Sequence, residues 1–298
     1  MALYGAIEAG GTKFVCGVAS GPDDIRDTAT FPTTTPAETM EAVCGYFESY
    51  EQKSGEKIDS IGVACFGPID MNKASDKYGY ITCTPKPGWQ DTDVVGILNG
   101  RFGVPVGFDT DVNAAAYGEY LWGTGKGLGV VLYLTVGTGI GGGLCVNGKP
   151  LHGLMHPEMG HVIMQQDKTK DPFECACPFH DNCLEGLASG KSVDLRWGVH
   201  ASELKDDHPA WDLEADYLAQ GIINYILTAS PEKIILGGGL MHKEHLYDMV
   251  REKVQQKLNG YVNVPAITQD IQNYIVSPGL GTKSGICGAI GLAMDVLS

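Results

Sequence analysis

The stretch CACPFHDNCLE, which begins at Cys175, collects three cysteines and one histidine within nine positions. Cys177, His180 and Cys183 follow one another at intervals of three, and His161 lies upstream. Two thiolates and two imidazoles make a closed tetrahedral zinc site, which is structural rather than hydrolytic. Cys175 competes with Cys177 or His180 for a place among the ligands. The alternative to a metal is a free thiol cluster or a disulfide between Cys175 and Cys183.

A second group of polar residues lies in the stretch FDTDVNAAAYGE, which contains Asp109, Asp111 and Asn113. A strand is expected to give way to a helix here, and ligands of open α/β sheets usually bind at this end of a strand. A carboxylate in this place accepts the proton of a substrate hydroxyl as the hydroxyl attacks a γ-phosphate. Helix capping is the alternative role. If Asp109 or Thr110 caps the helix, Asp111 is left for chemistry.

Two glycine-rich turns, GGTK near the start and VGTGIGGG near the middle of the chain, have the composition of a phosphate site. Backbone N–H groups in such turns converge on phosphate oxygens because no Cβ blocks the approach. Thr12 and Thr138 add hydroxyl groups, and Lys13 adds a charge. Neither the Walker A pattern nor the dinucleotide-binding fingerprint is matched. Tight hairpins alone are the alternative reading, but two matching turns and the glycines 237–239 favour a nucleotide.

The elements that must position these residues alternate between strands and helices, which predicts an α/β class. IEAGGTKFVCGV and LTVGTGIGGGLCV both read as a hairpin with a Gly/Thr turn, one in each half of the chain. A duplicated domain would place the two turns facing each other across a cleft. The patterns predict strand–turn–strand units over 3–19 and 128–153, a strand followed by a helix over 104–123, a strand over 233–241, and helices over 36–52, 214–229, 246–258 and 284–297.

Composition sets outer limits on these interpretations. A length of 298 residues suits two domains. The formal net charge of -15 disfavours nucleic acid or an anionic membrane as the main partner. The start of the chain does not resemble a signal peptide, and no apolar run approaches the ~20 residues of a membrane span, so a cytoplasmic location is expected. The six cysteines outside the cluster are then expected to be small buried hydrophobes.

Taken together, the motifs resemble those of the ROK (repressor, open reading frame, kinase) sugar kinases over nearly the whole chain. GAIEAGGTK and VGTGIGGG are similar to the two phosphate loops of that family, and TDVNAAAYGE to its Asn-Asp-x-Asn-Ala-Ala segment. HPEMGH is similar to its Glu-x-Gly-His motif, and CPFHDNCLEG to its zinc loop. The family commonly has four residues between its last two loop cysteines, whereas five separate Cys177 from Cys183 here. That pattern, with CFGPID and TPKPGW, resembles the bacterial fructokinase branch.

The resemblance implies a duplicated actin/hexokinase-like (ribonuclease H-like) ATPase fold with two lobes and a central cleft. It also implies roles for single residues. Asp111 is the catalytic base, and the metal ligands are His161, Cys177, His180 and Cys183. Asn113, Glu158, His161 and Glu185 bind the sugar, with zinc holding one nitrogen of His161 and leaving the other for a sugar hydroxyl. The nucleotide contacts are Gly10, Gly11, Thr12, Lys13, Thr138, Gly139, Gly237, Gly238 and Gly239.

The expected activity is that of an ATP:sugar 6-phosphotransferase that makes fructose 6-phosphate, with Mg²⁺ accompanying ATP and Zn²⁺ as a structural ion. Residues 1–118 would form the N-terminal lobe and 119–284 the C-terminal lobe, with the helix at 285–298 packing back on the first. The resemblance also allows a homodimer. Mannose or glucose as the sugar remains an alternative. A sugar-responsive repressor is disfavoured because no helix-turn-helix segment precedes the first phosphate loop.

Overall fold

The computed structural model describes residues 2–298 as a mixed α/β protein. Its strands are Tyr4–Ala9 (β1), Lys13–Gly21 (β2), Asp24–Pro32 (β3), Ser60–Cys65 (β4), Tyr80–Ile81 (β5), Thr92–Asp93 (β6), Val106–Thr110 (β7), Val130–Val136 (β8), Ile140–Val146 (β9), Lys149–Pro150 (β10), Lys233–Gly237 (β11) and Ile275–Val276 (β12). Its helices are Pro36–Ser54 (α1), Val94–Phe102 (α2), Asp111–Trp122 (α3), Leu184–Ala188 (α4), Gly190–Trp197 (α5), Ala210–Ala229 (α6), His245–Leu258 (α7), Pro265–Thr268 (α8), Ile271–Tyr274 (α9) and Ser284–Asp295 (α10).

The first sheet has five strands in the order β3-β2-β1-β4-β7. β1, β2 and β3 form an antiparallel meander, and β4 and β7 lie parallel to β1. The register pairs Ala9 with Cys65, and Cys65 with Thr110. Since parallel strands end at the same edge of a sheet, the glycine turn after β1 and the polar residues after β7 lie at one edge.

The second sheet repeats this plan in the order β10-β9-β8-β11-β12. β8 leads through a glycine turn into β9, and β11 and β12 run parallel to β8. The hairpin turn at Asn147 and Gly148 has positive φ at both residues, as the Asn-Gly pair predicts. Each sheet therefore has a glycine turn between the first two strands of its motif, which agrees with the internal repeat in the sequence.

Local signals in the sequence explain where the main helices begin and end. Thr35 and Glu38 form a capping box at the start of α1, and Gly55 in the left-handed conformation ends that helix. At α3 the capping residue is Thr110, whose side chain accepts a hydrogen bond from the backbone N–H of Asn113. The buried positions of α1 include Met40, Val43, Cys44 and Phe47, which are the apolar residues that its helical spacing predicted.

The residues group into two compact units. One contains the chain up to Gly127 together with Gly143–Pro157 and Gly279–Ser298, and the other contains Leu128–Gly142 and Glu158–Pro278. The predicted division into functional lobes at 118/119 stays a prediction. Within the first unit α10 packs against α3 and the first sheet so closely that a Cβ on Gly288 would collide with the carbonyl oxygen of Ala114. None of the helices within residues 2–298 is both long enough and apolar enough to span a bilayer.

Candidate functional site

The junction of β7 and α3 presents Asp111 as the first residue of a helix. Thr110 supplies the cap, so the alternative in which Asp111 caps the helix is not the one adopted. The Asp111 side chain is half-buried, and its Oδ1 accepts a hydrogen bond from the N–H of Val112 at 2.9 Å. A carboxylate at a helix N-terminus is stabilised in its charged form by the helix dipole. This position suits a group that must be ionised before it accepts a proton.

Asp109 and Asn113 are used inside the protein. Asp109 is 1% exposed; its Oδ1 accepts hydrogen bonds from the N–H of Thr110 and from Nδ2 of Asn113. Its Oδ2 lies 2.8 Å from Nε2 of His152. Asn113 is fully buried, and its Oδ1 accepts from the N–H of Leu144 at 3.3 Å. Direct binding of a sugar by Asn113 stays a prediction, and in this structure its amide serves to hold Asp109 and β9 in place.

The first glycine turn closes the β1–β2 hairpin. The N–H of Gly10 donates to the carbonyl of Lys13 at 3.0 Å, and the carbonyl of Gly10 accepts from Thr33 Oγ1 at 2.7 Å. A Cβ on Gly11 would meet no atom within 4 Å, and the side chains of Thr12 and Lys13 are exposed. The turn therefore has open space next to Gly11, with a hydroxyl and an ammonium group nearby in the chain.

The second glycine turn, between β8 and β9, is hydrogen-bonded to a carboxylate on α4 of the same unit. The N–H of Ile140 donates to Glu185 Oε2 at 2.9 Å, and a Cβ on Gly139 would lie 2.6 Å from the same oxygen. Thr138, at the tip, is exposed. The close approach of Glu185 is therefore sufficient to exclude a side chain at Gly139.

The glycines after β11 differ from one another. A Cβ on Gly237 would collide with Tyr133 Oη, and a Cβ on Gly238 with the backbone of Val136, so both are explained by packing on β8. Gly238 also has a φ of +92, which a residue with a side chain rarely adopts. Gly239 is exposed and faces open space. Of the three, Gly239 alone has no neighbouring protein atom that would exclude a side chain.

The structure brings the predicted metal ligands His161, Cys177, His180 and Cys183 together, with their donor atoms all within 4.8 Å of one another. The Sγ of Cys177 lies 3.4 Å from Nδ1 of His180 and 3.9 Å from Nδ1 of His161, and the Sγ of Cys183 lies 3.6 Å from Nδ1 of His161. In a tetrahedral zinc site with bonds of about 2.3 Å to sulfur and about 2.05 Å to nitrogen, these atoms are separated by about 3.6 Å. The side chains present therefore fit a zinc ion.

Cys175 lies outside this group. Its Sγ packs over Gly186 in α4, where a Cβ would collide with it. All nine cysteines are free thiols, so Cys175 and Cys183 do not form the disulfide that was the alternative to a metal site. Among Cys175, Cys177 and His180, which the sequence left in competition, the geometry selects the last two.

A short 3-10 turn, Met159–His161, carries the ring of His161 toward both the metal group and Glu185. A Cβ on Gly160 would collide with the carbonyl of Ile140, and Tyr225 Oη donates to the carbonyl of Met159. Nδ1 of His161 faces the thiols, and Nε2 lies 3.9 Å from Glu185 Oε1. The two nitrogens thus face different groups, as expected for a histidine that holds a metal with one and a ligand with the other.

Glu185 and Glu158 influence each other within this unit. Cys183 caps α4, because its Sγ accepts from the N–H of Gly186 at 3.4 Å, and this places Glu185 in the first helical turn. Partial burial and the charge of Glu185 raise the pKa of Glu158 to about 7. Two carboxyl groups and an imidazole are typical of sites that hydrogen-bond a polyhydroxylated ligand.

Comparison with known proteins decides the family. The model of the ROK family matches residues 4–296. The chain belongs to the ROK family. A fructokinase of Pediococcus pentosaceus is 44% identical to this ROK chain over 99% of both proteins, and a fructokinase of Zymomonas mobilis is 42% identical over 98% of the chain and 96% of that protein. The crystal structure of a ROK hexokinase from Thermus thermophilus aligns with a TM-score of 0.81 at 28% identity and covers 99% of each chain.

One pair of residues in this ROK chain was missed from sequence. His152 and Asp109 are 43 positions apart, and only folding shows that they form a hydrogen-bonded pair. The stretch LHGLMHPE offered a weak signal, since His152 and His156 are spaced by four in a loop that leads to Glu158. His156 is buried, and its Nε2 accepts from the N–H of Ile69 at 3.1 Å. Hydrogen bonds of the two histidines therefore hold this loop, which belongs to the first unit, against Asp109 and Ile69.

Proposed function

We propose that the protein is an ATP-dependent fructokinase, which transfers the γ-phosphoryl group of ATP to the 6-hydroxyl of D-fructose. The observation that carries the proposal is the 44% identity to a named fructokinase across 99% of the chain. The residues described above supply the groups that this reaction needs: a carboxylate at a helix N-terminus, two glycine turns, and a cluster of carboxyl and imidazole groups. The products are fructose 6-phosphate and ADP.

Asp111 is the proposed base. As the 6-hydroxyl oxygen of fructose bonds to the γ-phosphorus, the bond from phosphorus to the β,γ-bridging oxygen breaks and the hydroxyl proton passes to the Asp111 carboxylate. Thr110 takes the capping role, so the Asp111 carboxylate is not needed to begin α3. Asp109 does not compete for the proton, because both of its oxygens already have hydrogen-bond donors.

The proposed nucleotide contacts lie at the two turns and after β11. Gly11 and Gly239 have open space where a Cβ would lie, and the side chains of Thr12, Lys13 and Thr138 are exposed. Mg²⁺ bound with ATP neutralises charge on the phosphates. The full set comprises Gly10, Gly11, Thr12, Lys13, Thr138, Gly139, Gly237, Gly238 and Gly239.

The proposed sugar contacts in the second unit are Glu158, His161 and Glu185. Zinc, held by His161, Cys177, His180 and Cys183, would fix the segment that carries these side chains and would commit Nδ1 of His161, so that Nε2 is the nitrogen left for a hydroxyl. The metal has no part in the proton transfer. Its use is to reduce the freedom of the groups that bind the sugar. Cytoplasmic location and a homodimer stay predictions.

A kinase assay with ATP and Mg²⁺ against fructose, mannose, glucose and N-acetylmannosamine tests the proposal. The highest kcat/KM is expected with fructose, and the product is expected to carry its phosphate on the 6-hydroxyl. A higher kcat/KM with mannose or glucose would support a sugar kinase but reject fructose as the preferred substrate. Absence of turnover with every hexose, in protein that binds sugar, would contradict the proposal and favour a sugar-sensing role.

A further inference from the structure

Asp109 and His152 form a hydrogen-bonded pair at the β7–α3 junction. A buried carboxylate is costly unless it is hydrogen-bonded or paired, and Asp109 has His152 as a hydrogen-bond partner at 2.8 Å. Only Nε2 of His152 contacts Asp109, so the pair leaves the other imidazole nitrogen, Nδ1, outside this hydrogen bond. The His152 side chain is 36% exposed, so this nitrogen belongs to a ring that a ligand can reach.

The chemistry of that nitrogen follows from the first hydrogen bond. A carboxylate accepts and does not donate, so Nε2 of His152 carries a proton. The bond to Asp109 raises the pKa of His152 and favours the form in which Nδ1 carries a proton as well. Residues 2–298 give Nδ1 no hydrogen-bond partner. His156 lies near His152, and burial lowers the pKa of the His156 imidazole, which favours its neutral form.

The location favours the phosphoryl acceptor over the donor. β7 is the edge strand of the first sheet, and the glycine turn after β1 lies two strands away, which corresponds to roughly 10 Å. Asp109 precedes the proposed base by two residues, and the carbonyl of Leu151, next to His152, lies 3.5 Å from Nδ2 of Asn113. His152 is therefore attached directly to the strand end that carries Asp111.

We propose that His152 is a further sugar-binding residue, which donates a hydrogen bond from Nδ1 to a hydroxyl of the acceptor sugar while Asp109 acts as its positioning residue. This inference rests on the proposed function, since it assumes that the acceptor is a sugar. It also accounts for the burial of Asn113: the amide holds Asp109, Asp109 holds the imidazole, and the imidazole contacts the ligand.

A glutamine substitution at His152 separates sugar binding from anchoring. The amide of glutamine reaches the position of histidine Nε2, so His152→Gln keeps a donor for Asp109 and removes the polar atom at Nδ1. Asparagine would not separate the two roles, because its amide takes the position of Nδ1 and does not reach Asp109. We expect His152→Gln to raise KM for fructose about tenfold, the loss of one hydrogen bond from a charged donor, with KM for ATP close to wild type. His200→Gln, at an exposed histidine 3.9 Å from Asp194, is the matched control and should leave both constants unchanged.

Binding of fructose measured by calorimetry accompanies the kinetics, so that the inference is tested even if turnover is absent. Weaker binding by His152→Gln without turnover in the wild type would support the inference and reject the kinase proposal. Fructose affinity equal to wild type in His152→Gln would overturn the inference and leave the kinase proposal standing. A raised KM for ATP alone would also overturn it. Should His152→Gln fold poorly, Asp109→Asn is measured instead; it is expected to weaken fructose binding, and an unchanged affinity would count against the inference.

Discussion

At the scale of single residues, Thr110 and Asp111 show how adjacent polar side chains divide two tasks. The hydroxyl of Thr110 satisfies a helix N–H, and the carboxylate of Asp111 remains half-buried at the helix start. Both residue types are good caps, so composition does not distinguish them. The backbone does, because Thr110 has an extended conformation with φ -65 and ψ 152, which is the geometry of a capping residue, whereas Asp111 is already part of the helix.

Asp111→Asn is predicted to leave fold and sugar affinity nearly unchanged and to lower kcat by on the order of 10² to 10⁴. Amide and carboxylate have similar size, but the amide does not accept the hydroxyl proton. Steady-state kinetics and fructose calorimetry on the same preparation check this. Turnover equal to wild type would place the base elsewhere.

The Asp109–His152 pair predicts a pH-dependent contribution to stability. The folded-state pKa of His152 is raised, so the contribution is fully present below the ordinary histidine pKa of about 6.5 and is lost as pH rises through the folded-state value. The melting temperature of wild type is expected to exceed that of His152→Gln more at about pH 6 than at about pH 9. A difference independent of pH would show that the imidazole is neutral in the folded protein.

At the scale of elements, the four predicted metal ligands lie on three short segments. These are the 3-10 turn at His161, the loop at Cys177 and His180, and the start of α4 at Cys183. Glu185 continues this chain of contacts to the second glycine turn through the N–H of Ile140. A metal held by the four predicted ligands would therefore link these three segments to one another.

Metal analysis is predicted to find about one zinc per chain, and Cys177→Ser or Cys183→Ser to remove it. Thiolates bind metal only when deprotonated, so a chelator should extract the ion more readily as pH falls. Loss of the ion is expected to lower fructose affinity and melting temperature more than ATP affinity. Cys175→Ser is the matched control and should retain the metal. Loss of zinc in Cys175→Ser with retention in His180→Ala would reverse the assignment of these two residues.

At the scale of the whole molecule, α10 shows how a segment at the end of the chain becomes part of the first unit. Its small residues let it approach α3 and the strands β4 and β7 at backbone distance. Cβ atoms on Gly62, Gly107 or Gly288 would collide with backbone atoms of the facing element. Glu119, fully buried in α3, accepts hydrogen bonds from Ser284 and from the N–H groups of Gly279 and Leu280, which fixes the entry to the helix.

Gly288→Ala is predicted to destabilise the protein by about 1–3 kcal/mol or more, because overpacking at a backbone contact has no flexible side chain to absorb it. Gly100→Ala, at an exposed glycine of α2 with no atom within 4 Å of its Cβ, should instead stabilise by about 0.5–1 kcal/mol. Urea denaturation of both variants measures the contrast. Equal effects of the two substitutions would mean that α10 shifts to accommodate the methyl group.

The sequence by itself determined the α/β class, the repeated hairpins, the helix over 36–52 and the four candidate metal ligands, because these depend mainly on local patterns, although His161 lies 16 positions before Cys177. Turn glycines, helical spacing and the intervals between cysteines and histidines are local signals. The tertiary structure alone decided that Cys175 packs on Gly186, that Asn113 is buried behind Asp109, and that His152 pairs with Asp109. These outcomes depend on which strand lies next to which loop, and burial and charge pairing across tens of residues leave no periodic trace in the sequence.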